Sequence, residues 1–498
     1  MNSDNGILMA DGTAYEPEYG FEGGAIGGRR LGYWGLNSSG PNALIRCSLQ
    51  ALRSRCHALI RSNPIISGTF DSLVSDVVGS GLIPSFKMFD NDEELKEEWN
   101  EWVLDCDYDG VNDFYGLQSL VFRSMVTSGE CFVLYYTGKN PYGEYILKVR
   151  LIESDQVPDS LNMLLPNGNI IVMGIEFNRR GRRVAYHMYK THPQDDERHD
   201  SLITERILAS RVAHIYRPLR PGQIRGYPLI ASVIVKAKDI DEAVDAELMR
   251  RKTTAMFGGF IESDYNANNR KLLGSKPPGI KDPDNNMIAM EPATFVELDP
   301  GQRVTLSSPK DVSGSYNDWM STQHGDLARG LNVLKEVLTG DYSGVTFSSV
   351  RTALQNIRRL YRTYQTQNII HQFCRPTVTR KFEMGVKFDL LNVSEKDMST
   401  RKYRTIRWQA DAWDYIKPTE DIATKVTAIR AGLATRDTAL ATMPGGYDSS
   451  MIDSENAKLQ DRSSELGLVY DSNAKQATQY GQLSEYEKAE AEGDKDDE

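Results

Sequence analysis

PLIASVIVKAKDIDEAVDAELMRRKTTAMF, residues 228–257, decides how the rest of this chain is read. After Pro228 it holds no glycine and no further proline. Val233, Ala237, Ile240, Val244 and Leu248 recur at spacings of three and four, which makes one apolar stripe on a helix. Asp239, Asp241, Glu242 and Asp245 fall on the other side, and Arg250, Arg251 and Lys252 come near the end, where cations suit the helix dipole. At ~1.5 Å per residue the helix is expected to be about 45 Å long. A stripe of that length outruns a small local core, so the helix is expected to pack against copies of itself or another long helix.

Toward the N-terminus, "PNALIRCSLQALRSRCHALIRSNP" has helical spacing. Asn63 can cap a second helix that starts at Pro64 and stops at the "GSGLIP" that follows it. "NDEELKEEWNEWVLDC" reads as an acid-rich amphipathic helix with Leu95, Trp99 and Trp102 on one face. From Glu130 to Pro218 the pattern is strand-like, and "IIVMGIEFNRRGRRVAYHMYK" reads as two alternating runs about a turn at Asn178–Gly181. The cations Arg179, Arg180, Arg182 and Arg183 at that turn are read as solvated or paired with a neighbouring subunit. Arg217, Arg220 and Arg225 lead into the long helix and are read as an interface.

Beyond the long helix, 258–309 is an insertion rich in Gly, Pro and Asn with strand-like ends, and a helix from about Ser315 to Leu338 returns. The polar loop "TGDYSGVTFS" follows. Ser348 or Ser349 can cap the next helix, in which Val350, Leu354, Ile357, Tyr361 and Tyr364 form a stripe. Residues 419–466 again read as helices.

The 498 residues carry a net charge of −11, and residues 451–498 hold 13 acids against 5 bases. Proteins that grip nucleic acid tightly show a basic excess, so any contact with DNA here is expected to be loose. No apolar run reaches the ~18 residues of a membrane span, and the N-terminus lacks the pattern of a signal peptide. The expectation is a soluble chain made in the cytoplasm. The five cysteines form no CxxC pair and are read as reduced thiols. There is no GxxxxGK[ST] and no HExxH; "GSG" at Gly79–Gly81 and "GGAIGG" at Gly23–Gly28 are too loose to cradle a phosphate. Cys56 and His57 are helix neighbours whose side chains diverge by ~100°. No catalytic residue, metal or cofactor is expected.

Six stretches in order resemble the lambda-type portal proteins of tailed bacteriophages. They are Leu52–Leu82, Gly174–Tyr189, His214–Ile261, "EPATFVELDPGQRV", Glu336–Arg359 and "WDYIKPTEDIATKVTAIRAGLATR", and together they span roughly residues 45–470. The Gly-rich arm and the acidic tail lie outside. The resemblance implies an α+β portal-type fold: an α+β wing (45–227), a stem helix (228–257), a clip (258–314), a second stem helix (315–338), a tunnel loop (339–348), a long helix with the rest of the wing (349–418) and a helical crown (419–470). Composition alone reads 1–44 as a flexible arm that is disordered by itself and can order against a partner, and 471–498 as an acidic disordered tail. It also implies a homo-oligomeric ring, commonly of twelve subunits, at one capsid vertex of the virion, assembled in the host cytoplasm. The implied partners are double-stranded viral DNA in the channel, the terminase large subunit, the major capsid protein, and head-completion, adaptor or tail proteins, with no membrane.

On that resemblance Gly340, Asp341, Tyr342, Ser343, Gly344, Val345, Thr346 and Phe347 form the narrowest part of the channel. Asp239, Asp241, Glu242 and Asp245 line the stem with charge that repels phosphates, and Lys335 or Arg351 offsets Asp341. Two other readings stand beside it. One is a metal-dependent DNA-processing enzyme using the stem acids; the other is a minor capsid component that forms no ring.

Overall fold

A computed structural model describes residues 39–195, 203–255, 259–263, 302–306, 313–388, 390–413, 415, 417–443 and 449–468. The arm 1–38, most of the insertion and the tail from 469 lie outside the described residues.

The chain opens with a helical hairpin, α1 (Pro41–Ser62) and α2 (Pro64–Val78). The Asn63 side chain accepts from the Ile66 amide at 3.0 Å, and Pro64 fills the first helical position where no N–H is needed. Gly79 ends α2 as the sequence predicts. After β1 (Ile83–Ser85) come α3 (Asp92–Asp105) and α4 (Phe114–Ser128). Leu95, Trp99 and Trp102 of α3 are all buried, and Trp99 meets Phe114 edge-on at 5.3 Å.

Strands follow: β2 (Glu130–Lys139), β3 (Tyr145–Ile152), β4 (Met163–Leu164), β5 (Ile170–Val172), β6 (Ile175–Phe177), β7 (Arg183–Tyr189), β8 (Thr204–Leu208) and β9 (Val212–Tyr216). They form an antiparallel three-stranded sheet in the order β3-β2-β9 and an antiparallel five-stranded sheet β4-β5-β6-β7-β8. Phe132, Ile175, Tyr186, Met188 and Val212 form a shared core between the two sheets. The run "IIVMGIEF" is two strands and not one. Met173 (φ 48) and Gly174 (φ 78) turn the chain left-handed between β5 and β6, a reversal that alternation alone does not reveal.

The long helix starts later than its stripe suggests. One 3-10 turn, Leu229–Ser232, precedes α5 (Ile234–Ala255). Its approach is backbone to backbone: a Cβ at Gly129 (φ 92) would overlap the Tyr227 main chain, and one at Gly226 would overlap the Gly129 carbonyl. The strand-like ends of the insertion pair as β10 (Gly259–Ser263) and β11 (Gln302–Leu306), Gly259 opposite Leu306. The returning helix is broken: α6 (Ser313–Leu331) ends where Asn332 takes φ 59, and α7 (Lys335–Thr339) restarts after it.

α8 (Phe347–Thr363) continues into a π-helical stretch, Tyr364–Cys374, and then α9 (Arg375–Lys387). Pro376 has no N–H to donate and its ring crowds the turn before it, and the wider π turns accommodate it without breaking the rod. α10 (Glu395–Ser399), β12 (Arg407–Gln409, paired with β1), α11 (Pro418–Arg430), α12 (Arg436–Ala441) and α13 (Ser449–Leu466) complete the chain. The main core joins α1–α4, β2 and β3, the start of α5, and the π segment with α9. No described helix is long and apolar enough to cross a membrane.

Candidate functional site

The loop between α7 and α8 is built by local hydrogen bonds and not by packing. Gly340 caps α7 in the left-handed region (φ 69), with its amide on Glu336 O at 2.8 Å. The Asp341 carboxylate accepts from the Ser343 amide at 2.9 Å, an Asx turn, and that bond lowers the pKa of Asp341. Residues 341–344 are exposed, Tyr342 at 61 %, while Val345 is half-buried and Thr346 exposed. The cap expected at Ser348 or Ser349 falls earlier. Thr346 is the N-cap residue, and its hydroxyl and that of Ser349 share a hydrogen bond at 2.8 Å.

The two cations assigned to the loop have different surroundings. The Lys335 ammonium donates to Ser321 Oγ and acts weakly on Asp341. Arg351 points to α11, 3.5 Å from Asp421 and 3.7 Å from Glu420, and is already paired.

The stem stripe divides in two. Val233, Ala237 and Ile240 are buried, and Gly330 of α6 packs so closely on Val233 that a Cβ there would overlap it. Farther along the same helix, Val244, Leu248 and Met249 are 43 %, 47 % and 56 % exposed. All four stem acids are exposed. Asp241 accepts from the Asn63 side chain at 2.7 Å and Glu242 pairs with Lys238 at 3.3 Å. Next to them Glu247 holds Arg250 and Arg251, which lower its pKa to about 2. These carboxylates do not converge as a two-metal site requires.

Among the described residues one group could hold an ion: Glu153, Asp155 and His192, with ligand atoms within 4.8 Å of one another. His192 Nδ1 accepts from the Gln194 amide at 3.2 Å. In the neutral ring that leaves the proton on Nε2, which faces Glu153 as a donor and not as a ligand. Asp155 is already paired with Arg53 at 3.0 Å.

A buried charge network lies where β2 meets the lead-in to the stem, and sequence reasoning missed it. Glu130 is fully buried. It receives Arg53 at 2.5 Å, Arg225 at 2.6 Å, His214 Nε2 at 2.9 Å and the Gly226 amide at 3.0 Å. Burial alone would raise its pKa, but Arg225, His214 and Arg53 outweigh it and hold the carboxyl well below the usual range. Burial lowers His214 to about 4 in spite of Glu130. Arg225 is therefore a core residue and not the interface group it was expected to be. It also donates to Met173 O at 2.6 Å, which locks the left-handed turn before β6. Arg183 departs from expectation too: it leaves the hairpin tip to donate to the Tyr216 hydroxyl at 2.8 Å. Arg179, Arg180 and Arg182 are exposed.

Comparison with known proteins gives a consistent result. The sequence model of a family described as "Phage portal protein, lambda family" matches residues 27–365, so the match begins inside the arm that the six stretches left out. The chain is similar to the "Probable portal protein" of Halomonas phage phiHAP-1, with 24% identity over 67% of this chain and 64% of that one. It thus spans just under two thirds of that relative's length. It is similar to the "Portal protein" of Escherichia phage N15 (21% identity, 92% of this chain, 94% of that one) and to "Portal protein B" of Escherichia phage lambda (21%, 70% and 71%). Among solved structures it is similar to a chain in the neck of a native GTA particle computed with C12 symmetry, with TM-score 0.37 and 11% identity over 74% of this chain and 95% of that one.

Proposed function

The chain belongs to the lambda family of phage portal proteins, and from that premise we propose that copies of it close into a ring, twelve in number, at one capsid vertex. The ring is a conduit for double-stranded DNA, inward under the terminase large subunit and outward at ejection, and a seat for head-completion, adaptor or tail proteins. It assembles in the host cytoplasm and stays in the virion against the major capsid protein. In this reading 45–227 with part of 349–418 is the wing, α5 and α6 the stem, the insertion the clip, 339–348 the tunnel loop and α11–α13 the crown.

The observation that supports the ring best is the divided stem stripe. A helix whose apolar face is buried over its first turns and exposed over its last has the surface of a subunit that meets its own copies. The loop suits a conduit, because the exposed groups among its described side chains are one acid, one aromatic ring and hydroxyls. Such a surface touches a duplex without the phosphate-gripping cations that would stall it. The stem acids add charge of the same sign as the DNA.

Electron microscopy of the purified protein tests the reading. Rings with a central channel wide enough for a duplex of ~20 Å are expected. Single chains at every concentration, with and without capsid protein, count against it, and cleavage of DNA that depends on a divalent metal would revive the enzyme reading.

A further inference from the structure

Away from the loop and stem, a cavity of about 240 Å³ opens between the C-terminal half of α3, β3 and α9. It is smaller than the sites that hold cofactors or drug-sized ligands. Its walls include Glu98, Glu101, Trp102, Asp105, Tyr145 and Lys381. The three acids follow at spacings of three and four and so share one face of α3. Like charges at this spacing repel. They also stand in the last turns of a helix whose C-terminal turn carries no base, where the dipole disfavours them. No ion pair reaches any of the three among the described residues.

The second observation is Lys381. Its ammonium is 5.9 Å from the centroid of the Trp102 ring and has no hydrogen-bond or ion-pair partner among the described residues. Burial lowers its pKa to about 8, against the pull of Glu98 and Glu101. The cavity thus offers three acceptor groups, one half-buried donor and the flat face of an indole. An arginine within a peptide answers all three. Its guanidinium forks onto carboxylates and lies on aromatic faces, and its main-chain carbonyl accepts from an ammonium. The rest of the lining is mixed: Ile146, Leu147, Met384 and Leu391 are apolar, Asn140 and Glu144 are polar, and Tyr145 stacks on Phe388 at 5.1 Å.

Residues 1–38 contain two cations, Arg29 and Arg30, followed closely by Tyr33 and Trp34. We propose that this pocket is the seat of the chain's own segment Gly27–Ser38, with an arginine of the Arg29–Arg30 pair on the wall of Glu98, Glu101 and Asp105 and the aromatic pair on the rim. The nine residues from Arg30 to Ser39 span up to ~30 Å when extended. The segment fills the pocket of its own copy or of the next copy in a ring. The inference stands on the pocket and the charges and does not depend on the conduit reading.

The test uses the full-length chain with the exposed Cys47 replaced by serine; the other four cysteines are buried. Arg30→Cys is combined with Glu101→Cys, or with Glu205→Cys on the exposed side of β8 as a control. Mild oxidation is expected to link 30 to 101 at least ten-fold more than 30 to 205, read by mass spectrometry of the cleaved protein. A dimer band or a monomer band on a non-reducing gel then tells whose arm is seated. In parallel, hydrogen exchange with the native cysteines follows residues 27–38. Glu98→Lys with Glu101→Lys should speed their exchange at least ten-fold, and adding Arg29→Glu and Arg30→Glu to the same chain should recover most of the protection. Equal linking at 101 and 205, or exchange that the charge reversal leaves unchanged, overturns the proposal.

Discussion

Arg351, one turn into α8, lies 3.5 Å from Asp421 in the first turn of α11. The contact joins the base of the exposed loop to the start of the C-terminal helices, because Glu420 and Asp421 are also where a helix N-terminus favours acids. Arg351 is 37 % exposed, so the pair is expected to contribute less than ~1 kcal/mol. Its importance is geometric. For Arg351→Ala we expect a melting temperature within a few degrees of the parent and faster hydrogen exchange in two separate segments, 341–346 and 418–430. A change confined to one of them would show that the contact couples nothing.

Glu130→Gln should be far more damaging. It leaves Arg225 buried without a counter-charge and Arg53 with Asp155 alone, which typically costs about 3–5 kcal/mol, and urea unfolding would measure it. The acid sensitivity has a definite sign. His214 is held neutral at about 4 when folded against 6.5 in an open chain, so between those values the unfolded state binds the extra proton and stability falls as pH falls. His214→Asn should flatten that slope between pH 6.5 and about 4. Glu130, depressed below the usual range, adds its own loss only at lower pH. An unchanged slope in the variant would assign the sensitivity elsewhere.

The π segment holds an edge of the sheet. Gln372 Oε1 accepts from the Tyr216 amide at 2.8 Å, and Asn368 Nδ2 donates to the Tyr216 carbonyl at 3.0 Å. Both main-chain groups at the end of β9 depend on them. Asn368→Leu strands a buried carbonyl and should cost about 1–3 kcal/mol, with exchange loosened at the end of β9 as the local signature.

Val244→Asp with Leu248→Asp separates folding from assembly. Both residues are about half exposed in the single chain, so the monomer's unfolding midpoint should barely move, within ~0.5 kcal/mol. Light scattering should show rings lost at concentrations where the parent assembles. Intact rings would mean that the exposed half of the stripe faces something other than a copy.

At the loop, Tyr342→Ala removes a side chain that packs on little, and its thermal stability should match the parent. If the loop touches the duplex, particles built with the variant should lose packaged DNA faster after heating or chelation, as counted by nuclease-protected DNA per particle. Equal retention would remove Tyr342 from the contact.

How much of this was legible follows from the range of each signal. The cap at Asn63, the stop at Gly79, the buried face of α3 and the stem stripe are written within a few residues, and each was readable. The break at Asn332 was not, since asparagine in a helical pattern is common and its left-handed turn depends on how α6 packs. The π segment hides from any reading that counts in 3.6-residue turns, because Tyr361 and Tyr364 keep the period until the turns widen. Arg225 was misplaced for a different reason. Its partners Glu130, Ser154, Val157 and Met173 come from distant stretches of chain, and a basic cluster near a helix carries no mark of which member turns inward. The loop's chemistry was visible in its letters, but the pairing of Arg351 to α11 was not.

The contact of Gly129 and Gly226 with their neighbours' main chain gives the long helix a mechanical character. With no side chains between them, the two backbones cannot slide, so α5 is clamped at its root like a cantilever beam. Its first turns are braced by α6, through Val233 against Gly330 and through Lys236 with Asp326. Past Asp241, which the Asn63 side chain holds at 2.7 Å, the apolar stripe at Val244, Leu248 and Met249 is exposed among the described residues. A load at the far end is therefore carried as a bending moment to the clamp, beside the buried carboxylate of Glu130, and not absorbed by a hinge along the way.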